Sequence, residues 1–106
     1  MAWIYLLIAG VCEVGWPLGL KLANKANFNT ALGFILSGIS IFLSGLFLFL
    51  AQRDIPMGTA YAIWTAIGAS GTFILGILLF GDIASMARYF GIVLIILGVI
   101  TLKLAE

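Results

Sequence analysis

Gly10-Val-Cys-Glu-Val-Gly-Trp-Pro-Leu-Gly-Leu-Lys21 is the stretch on which the fold turns, because it sets one carboxylate inside an apolar run that starts at Ala2. Three residues after Glu13 comes Trp16, close to the same helix face, and four residues after it comes Pro17. Proline has no N–H, so the Glu13 carbonyl loses its intrahelical partner and is crowded by the ring. An acid, an aromatic neighbour and a freed carbonyl are thus gathered at one depth. Burying such an acid uncompensated costs several kcal/mol, and an ionisable residue inside a membrane span is a functional-site hypothesis by default.

Composition establishes the surroundings of that stretch. Only 8% of the 106 residues are charged and 64% are hydrophobic, with mean hydropathy +1.28. Soluble domains carry about 25% charged residues, so this is an integral membrane protein, too short for a second domain. A net charge of +1 offers no basic face for nucleic acid. The single Cys12 forms no intrachain disulfide, and without histidine there is no Cys/His metal set. The N-terminus lacks the basic region and cleavage pattern of a signal peptide. Trp3 and Tyr5 there read as interfacial anchors of a retained first span.

A spanning helix needs about 20 mostly apolar residues. Four segments qualify, 2–20, 30–51, 57–80 and 87–104, so the expected fold is all-α with four transmembrane helices in a single domain covering 1–106. The connections are short and polar, and the other acids, Asp54, Asp82 and Glu106, lie in them or at the end. Glu13 is the exception.

Each later span adds one feature. The second aligns Ser37, Ser40 and Ser44 on one face. Such hydroxyls serve as interhelical glue, bond the i−4 carbonyl, or face a cavity shared with Glu13. In the third, Tyr61, Trp64 and Gly68 share a face, and Gly68, Thr72 and Gly76 make a ladder of small residues. Tyr61 lies near enough to the helix start to be a belt residue; Trp64 is deeper. In the fourth, Gly91 and Gly98 are seven apart among branched residues, which suits an assembly surface rather than a pathway.

Orientation follows Lys and Arg in short loops. Arg53 and Lys103 fall on one side, Lys21, Lys25 and Arg88 on the other, so the bias is nearly zero and the chain is expected to insert both ways round. Four helices barely enclose a solvated cavity. Two oppositely oriented copies supply the inverted halves common in transporters and bring two Glu13 side chains together.

The joint pattern resembles the small multidrug resistance family over essentially the whole chain: four short spans, one acid in the first, Gly58-Thr-Ala-Tyr-Ala-Ile-Trp64 in the third, and Gly91 with Gly98 in the fourth. The resemblance implies an antiparallel, dual-topology homodimer in the bacterial inner membrane. It makes Glu13 the shared proton and substrate site, lined by Tyr61 and Trp64, with Gly91 and Gly98 packing the dimer. Glu13-Val-Gly-Trp16, Thr65 after Trp64, and Lys103 resemble the guanidinium-exporter branch, and Ser44 falls on that branch's site serine. Pro17 stands where alanine is usual, and Ala66 replaces a glycine.

What the resemblance implies is proton-coupled antiport of guanidinium or another small organic cation, without enzymatic chemistry or a cofactor. A carboxylate accepts two parallel N–H bonds from the planar cation. Ser44 is expected to hold the carboxylate or take a spare N–H, Tyr61 to orient Glu13, and Trp16 and Trp64 to wall the site with π faces. Two acids facing one monovalent cation fit two protons exchanged per substrate. The alternatives are an exporter of quaternary ammonium or polyaromatic cations with a looser site, and a non-transporting membrane subunit or obligate heterodimer partner.

Overall fold

The computed structural model describes residues 1–105. Its four helices are α1 (Ala2–Ala23), α2 (Thr30–Ala51), α3 (Met57–Phe80) and α4 (Met86–Ala105), with no strand among the described residues. All four are long and apolar enough to cross a membrane. The expected limits of the second and third spans match. The first runs three residues further, past Lys21 to Ala23, and the fourth gains one residue at each end. Pro17 removes one hydrogen bond without ending α1. A proline is tolerated inside a membrane helix because neighbouring helices and hydroxyl side chains re-satisfy freed backbone groups.

The ends are marked by local chemistry. Asn29 caps α2, its side chain accepting from the N–H groups of Ala31 and Leu32 at 2.9 and 3.3 Å. Pro56 precedes α3 with extended geometry (φ −54°, ψ 142°) and leaves no orphan donor of its own. α3 stops at Gly81, whose left-handed φ of 68° suits a residue without Cβ. There the N–H groups of Gly81 and Asp82 both turn back to the Gly76 carbonyl.

α1 is the central element. It packs along α2 and α3, α4 docks on α3, and α2 barely meets α3. α1 and α2 run antiparallel along a seam of small residues. A Cβ on Gly19 would lie 2.6 Å from the Gly33 carbonyl oxygen, so the two backbones approach as only glycine permits. Two hydroxyls stitch the seam at matching heights. Ser37 Oγ donates to the Trp16 carbonyl and Ser44 Oγ to the Ala9 carbonyl, each at 2.7 Å. Ser40 packs against Gly15 between them. α1 and α3 run parallel, as contacts of Gly10 with Ile67 and of Val14 with Gly71 require.

The tight part of the bundle lies at one end. Ala2, Leu6, Ala51, Ile55, Ala60 and Ile63 form a buried cluster where α1 begins, α2 ends and α3 begins, with Trp64, Val99 and Leu102 packed around it. The Lys103 ammonium lies 4.2 Å from the Trp3 ring centroid and ties the end of α4 to the start of α1. Toward the other end of α1 the helices leave open space. α4 has no buried residue among those described, and a Cβ on Gly91 or Gly98 would meet nothing within 4 Å.

Candidate functional site

The α-helical repeat carries Glu13 and Trp16 to one face of α1, and the two side chains meet. Trp16 Nε1–H donates to Glu13 Oε1 at 2.8 Å. An N–H bond to an ionised acceptor is roughly twice as strong as one between neutral groups, so the indole holds the carboxylate in place. Across from Glu13 stands Gly68 of α3. A Cβ there would collide with the Glu13 side chain, which therefore lies flat against bare α3 backbone.

Glu13, Trp16 and Pro17 form one wall of an open groove of about 460 Å³. Thr65, Gly68, Ala69, Thr72 and Phe73 of α3 form the facing wall, Ile92 of α4 closes one flank, and Asp82 stands in the connection after α3. Thr65, Gly68 and Thr72 are spaced by three and four, so α3 turns two hydroxyls and one gap to the same side as the carboxylate. A carboxylate, two hydroxyls, two aromatic rings and a second carboxylate make a surface suited to a cation.

The other expected site residues gather elsewhere. Trp64 Nε1–H donates to Ser44 Oγ at 2.7 Å, and Ser44 Oγ in turn donates to the Ala9 carbonyl. Ser44 is completely buried in this relay. Its proton goes to the Ala9 carbonyl, and its oxygen accepts from the Trp64 indole. Tyr61 packs its ring on Trp64 with centroids 5.3 Å apart and is 56% exposed, and the side-chain bond that Glu13 accepts comes from Trp16. The relay nevertheless ends one turn from the acid, since the Ala9 carbonyl is also the helical acceptor for the Glu13 N–H. Ser44 and Trp64 thereby lock α1 against α2 and α3 just beside Glu13. The fourth span, expected to stand apart from any pathway, contributes Ile92 to the groove wall.

Asp82 is a groove residue that sequence reasoning passed over, since it reads there only as a loop acid. Thr65 and Thr72 carried a signal in their shared helix face with Gly68, seven residues apart.

The sequence has recognisable relatives. The model for the family described as Small Multidrug Resistance protein matches residues 1–95. The chain belongs to that family. It is 48% identical over 106 residues, covering 100% of both chains, to a protein of Yersinia pseudotuberculosis named guanidinium exporter. Proteins of Citrobacter freundii and Salmonella typhimurium with the same name are 47% identical over 105 residues, 99% of this chain and 98% of theirs. Family membership and four spanning helices together make this small multidrug resistance protein a multi-pass protein of the bacterial inner membrane. Within the family frame, the acid of the first span is the one that bonds to Trp16 and faces the groove.

Proposed function

We propose that the protein exports guanidinium ion in exchange for protons, both competing for Glu13, as an antiparallel homodimer. The observation that carries this reading is the Glu13–Trp16 pair opening onto the groove, in a chain 48% identical to a protein named guanidinium exporter. An ionised carboxylate has about four lone-pair positions on two oxygens. Trp16 occupies one on Oε1, which leaves both oxygens able to take the paired N–H groups of a planar guanidinium in fork geometry.

Coupling follows from competition. A protonated Glu13 has lost the charge and one of the oxygens that the fork requires, so a proton and the cation exclude one another. The site then crosses the membrane either protonated or loaded. Two copies in opposite orientations carry two Glu13 side chains, which fits two protons per cation. The exposed notches at Gly91 and Gly98 on α4 and the near-equal division of Lys and Arg support assembly of such copies.

The test is reconstitution of this protein alone in liposomes. An imposed proton gradient is expected to drive guanidinium movement, and guanidinium addition to move protons the opposite way. Cation movement that ignores the proton gradient would overturn the coupling.

A further inference from the structure

We infer that Asp82 is the outer cation station of the groove, a residue that raises the local concentration of the small cation before it reaches Glu13. This rests on the reading of Glu13 as the cation site. The two carboxylates line one groove between α1 and α3, and they lie at different heights in it. Glu13 rests against Gly68, whereas the Asp82 carboxylate packs against Gly76, close enough that a Cβ on Gly76 would displace it. Eight residues at 1.5 Å each separate those two glycines, so the acids are about 12 Å apart along the helix axis. Asp82 is exposed in the connection after α3, where the groove leaves the bundle.

The backbone fixes that position. The Asp82 N–H is held by the Gly76 carbonyl at 3.0 Å, and Gly81 makes the left-handed turn that folds the loop back over the end of α3. The two nearby lysines are aimed at an aromatic ring. Lys21 shares the adjoining cleft with Asp82 and Phe80, but its ammonium lies over the Phe80 ring, 5.9 Å from the centroid, as does that of Lys25 at 5.5 Å. Thr72 lies on the α3 wall between the levels of Asp82 and Glu13 and offers its hydroxyl oxygen to a cation moving inward, with Thr65 one turn beyond Glu13. A charge at the mouth of a cleft with low-dielectric walls focuses the field along it and speeds capture of the opposite charge. One unit charge at about 12 Å in a medium between protein and water changes cation occupancy about threefold.

The test measures guanidinium transport in liposomes at about 10 mM and about 1 M ionic strength, where the Debye length falls from about 30 to about 3 Å. Asp82→Asn is expected to raise the half-saturating concentration about threefold at low salt, with maximal turnover unchanged and the difference gone at high salt. Asp82→Glu restores the original value, and Gly76→Ala, which moves the carboxylate without removing it, shows an intermediate shift. An unchanged half-saturation in Asp82→Asn at low salt, or a loss confined to maximal turnover at both salts, would overturn the proposal. Glu13→Gln separates the two readings: full transport by that variant overturns Glu13 as the cation site, whatever Asp82 does. Should the unmodified protein carry tetraethylammonium and not guanidinium, the guanidinium reading falls. The Asp82→Asn comparison on tetraethylammonium then decides the role of Asp82 by the same criteria.

Discussion

Trp16 and Glu13 are bonded to one another within a single turn of α1, indole N–H to carboxylate oxygen at 2.8 Å. The bond aims the carboxylate without using up the lone pairs a bidentate cation needs. Trp16→Phe keeps an aromatic wall but removes the donor. The bond is present with and without the cation, so what binding loses is its aim. Immobilising a freed side chain costs about 0.5–1.5 kcal/mol, and guanidinium affinity is expected to fall about two- to tenfold. Calorimetric titration of the purified variant checks this. Unchanged affinity would mean that the indole serves only as a wall.

Ser44 predicts a different signature. Its hydroxyl satisfies the Ala9 carbonyl and the Trp64 N–H at once, in a completely buried position. Ser44→Ala leaves the Trp64 N–H without that partner, while the Ala9 carbonyl keeps the Glu13 N–H, and an unsatisfied buried polar group costs about 1–3 kcal/mol. Hydrogen bonds between membrane helices average nearer about 0.6 kcal/mol, because the alternatives in a membrane also find partners. The expected destabilisation is about 1–2 kcal/mol, read as a lowered thermal midpoint in detergent, with a smaller loss in Ser37→Ala. A Ser44→Ala variant as stable as the parent, yet unable to bind cation, would show that Ser44 acts in cation binding and not in packing.

These two residues show where sequence suffices and where it does not. Four runs of apolar residues broken by Asn29, Pro56 and Gly81 define the helices, because span length and turn chemistry are local properties. The prominence of Glu13 was equally legible, since a lone acid in such a run has few explanations, and its partner Trp16 lies on the same helix face. The division between Ser44–Trp64 and Glu13–Trp16 was not legible. It depends on which α1 carbonyl an α2 hydroxyl meets, and the small-residue seam between the backbones sets that register. Asp82 was hidden for a related reason: its place in the groove comes from the fold-back at Gly81, not from any pattern around it.

Topology gives the third prediction. Arg53 and Lys103 oppose Lys21, Lys25 and Arg88, close to balance. A reporter fused at the C-terminus is expected on both sides of the membrane in comparable amounts. Two lysines added to either side force one orientation and lower transport, and co-expression of an oppositely biased copy restores it. A single orientation of the unmodified chain would rule out the antiparallel homodimer.

The pH dependence of binding tests the competition most directly. In the proposed exchange only the deprotonated Glu13 accepts the guanidinium fork, so binding of the cation displaces a proton wherever one is present. Linkage then sets the slope: affinity weakens by about tenfold per pH unit for each proton displaced, at pH values below the apparent titration of the site. Above that titration no proton is displaced and affinity is flat. In a dimer two Glu13 side chains face one another, so the apparent values belong to the pair and the steepest slope approaches two protons. The same exchange appears as proton release when guanidinium is added to a weakly buffered sample. The measurement is a calorimetric titration from mildly acidic to mildly alkaline pH, in buffers of differing ionisation enthalpy so that released protons are counted. Glu13→Gln, nearly isosteric and unable to titrate, is expected to bind weakly with no slope and no release. An unmodified protein whose affinity stayed constant across that range, with no protons released, would show that proton and cation do not share the carboxylate. Glu13 would then serve to anchor Trp16 and shape the groove, and the driving force for transport would have to enter elsewhere.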